Sequence, residues 1–140
     1  MDNYKPRVRN SFDSKAKYYD KFAKIQKLVA QRMIERLEII NITPKRILDL
    51  GCGTGILARL LKEKYKSCNV VSVDLSLRML KICKEKKIQS SLLCCDIEDL
   101  PLRKNSFDLI ISSFTFHWCE NIVKVLKDVE KCLDEKGIFF

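Results

Sequence analysis

Residues 47–57 read Ile47-Leu48-Asp49-Leu50-Gly51-Cys52-Gly53-Thr54-Gly55-Ile56-Leu57. A short apolar run meets three alternating glycines, and a new apolar series then starts with helical spacing at Ile56, Leu57, Leu60 and Leu61. That order predicts a buried strand, a tight loop and a helix. Gly51 and Gly53 allow a sharp backbone turn and the close approach of a ligand to the main chain.

Downstream, the same alternation repeats. Residues 70–73 predict a second strand ended by Asp74, and Ser76 is placed to cap a helix whose inner face is Leu77, Leu80 and Cys83. Residues 91–95 and 108–112 predict the third and fourth strands. Ile122, Val125, Leu126, Val129 and Leu133 follow as an amphipathic helix, with Gly137 as its C-cap and a fifth strand opening at residues 138–140. Upstream, Phe12, Ala16, Tyr19, Phe22, Ile25, Leu28, Val29, Met33, Leu37 and Ile40 step by three and four, a helical stripe with a break near Asp20 and an end at Thr43-Pro44. Residues 1–10, polar and basic, read as a flexible tail. Strands alternating with helices imply right-handed crossovers and a parallel sheet covered on both faces. The fold class is a doubly wound, Rossmann-like α/β domain. It occupies residues 11–140, with 11–41 as an N-terminal helical cap.

The loop and the acids around it select a ligand. Asp74 comes 23 residues after Gly51, at a strand end, where a carboxylate can take both hydroxyls of a ribose. A dinucleotide loop would want glycine at position 56, where this chain has Ile56, and its pyrophosphate would be repelled by Asp49. S-adenosylmethionine (SAM) presents an ammonium and a sulfonium instead, so an acid beside the loop helps. Asp96 follows the third strand and can accept from an adenine amino group while Ile97 packs on the ring. Ser113 ends the fourth strand, on the carboxyl edge where open α/β sheets bind ligands.

Composition sets outer limits. Apolar residues make up 46% and charged residues 32%, as in a folded globular domain. No apolar run reaches the roughly 18 residues of a membrane span, and the N-terminus carries no apolar signal core, so a cytoplasmic protein with no membrane contact is expected. Seven cysteines, an odd number without a Cys-x-x-Cys pair, suit reduced thiols rather than disulfides, and with one histidine they show no metal-ligand spacing. The net charge of +9 comes largely from lysine and reads first as solvated helix faces, with a surface that attracts an acidic partner as the second reading; the aromatics do not interleave with the basic residues as a nucleic-acid platform requires.

With these residues in view, the sequence resembles the class I SAM-dependent methyltransferases, and most closely the malonyl-acyl carrier protein O-methyltransferases of biotin synthesis. The carrying segments are Ala16-Lys17-Tyr18-Tyr19-Asp20, the glycine loop, Val73-Asp74-Leu75-Ser76 with Met79-Leu80, Asp96-Ile97-Glu98-Asp99-Leu100-Pro101-Leu102, Phe107-Asp108-Leu109, and His117-Trp118-Cys119-Glu120-Asn121. The resemblance implies strand order 3-2-1-4-5 and SAM as cofactor, held by Asp49, Gly51, Cys52, Gly53, Thr54, Gly55, Asp74, Leu75, Asp96, Ile97 and Ser113. It implies that the N-terminal helix closes over the methionine end, and that Tyr18, His117 and Trp118 stand on the substrate side. It implies methyl transfer to the free carboxyl of a malonyl thioester on acyl carrier protein. Another small-molecule or quinone-precursor acceptor, or a non-catalytic SAM-binding remnant, stays open at this point. Relatives continue into sixth and seventh strands, so a chain stopping at Phe140 is expected to be an incomplete, apparently truncated domain with little or no turnover.

Overall fold

The computed structural model describes residues 4–140. Five parallel strands, β1 (Arg46–Leu50), β2 (Asn69–Asp74), β3 (Ser91–Cys94), β4 (Phe107–Ser112) and β5 (Leu133–Phe139), lie in the order β3-β2-β1-β4-β5. The expected doubly wound α/β sheet is the observed one. The helices are α1 (Tyr4–Phe22), α2 (Lys24–Ile40), α3 (Ile56–Lys64), α4 (Leu77–Glu85) and α5 (Ile122–Cys132).

The central strand shows why the sheet is covered twice. Side chains alternate across a strand, so Ile47 packs with Leu57, Leu61, Leu109 and Leu37 on the side of α2 and α3. Leu48 and Leu50 pack with Ile110, Val125 and Val129 on the side of α5. Asp49 falls on the first of these faces by the same alternation, at the strand end nearest the loop.

Four local expectations need correction. Residues 4–10 are not a tail: they form the first turns of α1, because Val8 continues the stripe of Phe12 and Ala16 and is itself buried. Pro6 is tolerated there, since an amide in the first turn has no intrahelical partner to lose. Residues 1–3 lie outside the described residues. The break in the N-terminal stripe falls at Ala23, which is buried at a non-helical ψ of 41°, rather than at Asp20. Leu77 is exposed, and the inner face of α4 is Met79, Leu80 and Cys83.

Gly137 does not cap a helix. It lies inside β5, which starts at Leu133, directly after α5. The ladder to β4 shifts register between Phe107 and Leu109, and this bulge folds the strand onto itself. A Cβ on Gly137 would stand 2.9 Å from Leu133 Cδ2 and 3.0 Å from the Asp134 backbone, so only glycine fits without displacement.

Ile110 sits in the second-innermost strand and is fully buried. Ile110→Ala should therefore cost about 2–5 kcal/mol, read as a lower urea midpoint at unchanged slope.

Candidate active site

The loop after β1 is fixed to β2 before any ligand is considered. The Gly51 and Cys52 amides both donate to the Val73 carbonyl (2.8 and 2.9 Å). The Gly53 amide donates to Asp74 Oδ2 at 2.8 Å, and Asp74 Oδ1 accepts from the Ser76 amide at 2.8 Å. Burial pushes the Asp74 carboxyl above its usual range, opposed by those amides. The glycines serve different ends. Gly51 (φ +72) has the Thr115 side chain 2.0 Å from where a Cβ would be, while at Gly53 (φ +54) that place is open space facing the cleft.

The cleft lies over the carboxyl ends of the strands. Gly51, Gly53, Asp74, Leu75 and Met79 form one side; Asp96 and Ile97 follow from β3; Ser113, Phe114, Thr115 and Trp118 come from the end of β4. Asp96 Oδ1 accepts from the Glu98 amide (3.0 Å) and from Lys5 Nζ (3.2 Å), and Lys5 also pairs with Glu98. Phe114 holds a left-handed φ of 55°, which strains a bulky residue by about 1–3 kcal/mol, and its ring borders both the cleft and the aromatic groove beside it.

Helix α1 roofs the cleft with Lys5, Val8, Phe12 and Tyr19. It is tied down by polar contacts: Ser76 Oγ donates to Asp13 (2.5 Å), Thr54 Oγ1 donates to Asp20 (2.5 Å), and Lys86 pairs with Asp20. Phe12 meets Trp118 edge-on at 5.5 Å.

A smaller recess opens beside the cleft and shares Tyr19, Gly51, Gly53 and Ser113 with it. Asp49 lines this recess with 1% of its surface exposed, and its Oδ2 has no hydrogen-bond partner. Burial, with Cys83 and Asp74 nearby, raises its carboxyl to about 8, against a backbone hydrogen bond from Ala58. An unsatisfied buried carboxylate is costly. A cation carrying N–H donors would satisfy it.

Not every candidate from the sequence reaches the cleft. Thr54 is buried and spends its hydroxyl on Asp20, and Gly55 packs against Cys83 at the start of α3. The Cys52 thiol borders the recess and not the cleft; the adjacent Cys83 thiol and burial hold it well above its ordinary range. Tyr18 points outward at 58% exposure, because neighbours on a helix differ by about 100° and Tyr19 takes the inward position. His117 lines the aromatic groove with Phe116 and Phe139, while Trp118 alone of that pair lines the cleft. Sequence reasoning missed Lys5, Val8, Phe114 and Thr115. For Val8 a signal existed, the four-residue step to Phe12.

A family model described as a methyltransferase domain matches residues 48–140. The malonyl-acyl carrier protein O-methyltransferase of Methylovorus sp. is 35% identical over 143 residues, covering 96% of this chain and 48% of the relative. That of Laribacter hongkongensis is 36% identical over 145 residues, covering 96% and 49%. The chain thus spans about half the length of the curated relatives it matches. Phosphoethanolamine N-methyltransferase 1 of Haemonchus contortus, solved with phosphoethanolamine and S-adenosylhomocysteine, is similar in fold, with a TM-score of 0.80 at 18% identity over 97% of this chain and 31% of that one. With the family match running from β1 through β5, this chain belongs to the methyltransferase domain family, whose cofactor is S-adenosylmethionine.

Proposed function

We propose that this chain supplies the SAM-binding part of a methyltransferase that acts on the free carboxyl of a malonyl thioester carried by acyl carrier protein. The observation that carries the first half is Asp49: a buried carboxylate with an unpartnered oxygen, in a recess joined to a cleft that also holds Asp74 and Asp96. The residues fit the ligand. Asp49 would take the α-ammonium, and Asp74, whose oxygens each spend one lone pair on a backbone amide, would take the ribose hydroxyls with the others. Asp96 would take the adenine amino group, with Ile97, Leu75 and Met79 as apolar walls. Bound SAM supplies an electrophilic methyl on a sulfonium. The acceptor reading is supported by the names of relatives at about 35% identity.

A carboxylate acceptor is already a nucleophile at neutral pH. The chain's own task is then to hold the acceptor in line and to keep water away, rather than to remove a proton. Phe12, Phe114 and Trp118 provide the dry wall for that.

Three outcomes test the reading. Asp74→Ala should weaken SAM binding by about 1.5–3 kcal/mol, the worth of hydrogen bonds to a charged group; equal affinity by calorimetric titration removes Asp74 from the site. The second concerns pH. The folded Asp49 carboxyl, at about 8, lies above its ordinary value of 3.8, so the folded chain holds this proton more tightly than the unfolded one. The stability this confers is full at low pH and is lost as pH rises from about 4 through about 8. SAM binding must release the same proton, so affinity should climb about tenfold per pH unit between roughly 5.5 and 7.5. Asp49→Asn should bind more weakly, with a flat profile; a flat wild-type profile contradicts the ammonium assignment. The third is catalytic: malonyl-acyl carrier protein incubated with SAM and a version of the enzyme extended to the length of its relatives should gain the mass of one methyl group. A gain on a quinone precursor instead would replace the acceptor.

A further inference from the structure

The elbow between α1 and α2 exposes an apolar face that the cleft does not use. Tyr18, Phe22, Ile25 and Leu28 are 58, 74, 65 and 55% exposed. They are not misplaced core, because the two helices bury a different stripe through Ala16, Ala23 and Ala30. Five lysines, Lys15, Lys17, Lys21, Lys24 and Lys27, stand exposed among them. The one acid between residues 14 and 29 is Asp20, which faces Thr54 and Lys86. Lys17 and Lys21 lie over the rings of Tyr18 and Phe22, at 5.6 and 5.7 Å from their centroids. The face is therefore apolar at its centre and uniformly positive at its rim.

A groove runs across it between Tyr18, Phe22 and Gln26, over Ala23 and Tyr19. Tyr19 and Gln26 are also walls of the Asp49 recess. A narrow arm entering the groove from outside would thus arrive beside the recess without crossing the sheet.

We propose that this elbow docks an acidic protein bearing the acyl group. Its carboxylates would meet the lysine rim, its apolar contact would cover Phe22 and Ile25, and its acyl arm would run along the groove past Tyr19 and Gln26. The assignment rests on the carrier-bound thioester reading above and adds the surface that recognises the carrier. Charge complementarity of this kind mainly raises the rate and specificity of encounter, and it weakens with salt. An anionic lipid surface would use similar side chains. It gives no reason, however, for a groove that shares two walls, Tyr19 and Gln26, with the recess of the buried carboxylate.

Fluorescence anisotropy of labelled malonyl-acyl carrier protein against the wild-type chain, Lys17→Glu/Lys21→Glu and Phe22→Ser provides the test. Both variants should lose about tenfold or more in affinity at low salt, and in an enzyme extended to the length of its relatives KM for the carrier-bound substrate should rise by the same factor. SAM affinity and methylation of a small malonyl thioester should not change, which excludes misfolding. Unchanged carrier affinity in both variants overturns the docking surface, as does a wild-type chain that does not bind the carrier. Anionic phospholipid vesicles bound in its place, and lost in the same variants, reassign the face to a membrane. In the extended enzyme, lysine-dependent carrier binding without methyl transfer sinks the acceptor reading and keeps the dock; transfer equally fast in the variants does the reverse.

Discussion

Three amide hydrogen bonds join the loop after β1 to the end of β2, two onto the Val73 carbonyl and one from Gly53 to Asp74. They determine where the rest of the site can be. Because the loop is held against β2, Gly53 faces the cleft, α3 starts with its first amides over Asp49, and Asp74 stands at the rim with lone pairs to spare. The parallel pairing of β1 with both β2 and β4 then brings Ser113 and Thr115 across from the same loop. Thr115 donates to the Leu50 carbonyl at 3.2 Å and fills the space that any side chain at Gly51 would need. Binding geometry here follows from the strand-end pairing, with no separate scaffold.

The same arrangement carries a cost. Asp49 is buried in the central strand, between Ser72 of β2 and Ile111 of β4, with an oxygen left unpaired, and a hydrophobic residue there would pack better by about 1–3 kcal/mol on mutational scales. Phe114 adds backbone strain at the opposite side of the cleft. Both costs sit where a ligand would touch; the Tyr65 hydroxyl against the Ile47 cluster and the Ser72 hydroxyl inside β2 are buried and unpaired as well.

The strands and the positions of Asp49, Asp74 and Asp96 were legible because each depends on short-range pattern, while the strand order came from the family resemblance. Alternation gave the strands, the glycine spacing gave the loop, and the strand ends gave the acids. What was not legible depends on partners far away in sequence. Lys5 has meaning only through Glu98 and Asp96, and within residues 1–10 alone its charge reads as solvation. Thr54 looked like a loop ligand until Asp20, 34 residues earlier, took its hydroxyl. Gly137 had the right distance from a helix for a cap, but a bulge against β4 fixed it instead. Tyr18 and Tyr19 are chemically alike, and only the phase of α1 separates them.

Helix α1 differs from the other covers of the sheet in how it is attached. α3 and α5 each bury three residues against the sheet, an apolar contact worth about 1.5–3 kcal/mol per large side chain. α1 buries only Val8 and Ala16 and depends on the ties of Lys5, Asp13 and Asp20. Partly exposed bonds of that kind contribute about 0.5–1.5 kcal/mol each and ion pairs less. The roof of the cleft is therefore its most weakly held wall, while the floor shares the core of the domain. The roof's inner side is Val8, Phe12 and Tyr19 and its outer side is Tyr18 and Phe22, so the 19 residues of α1 border both the cleft and the basic elbow.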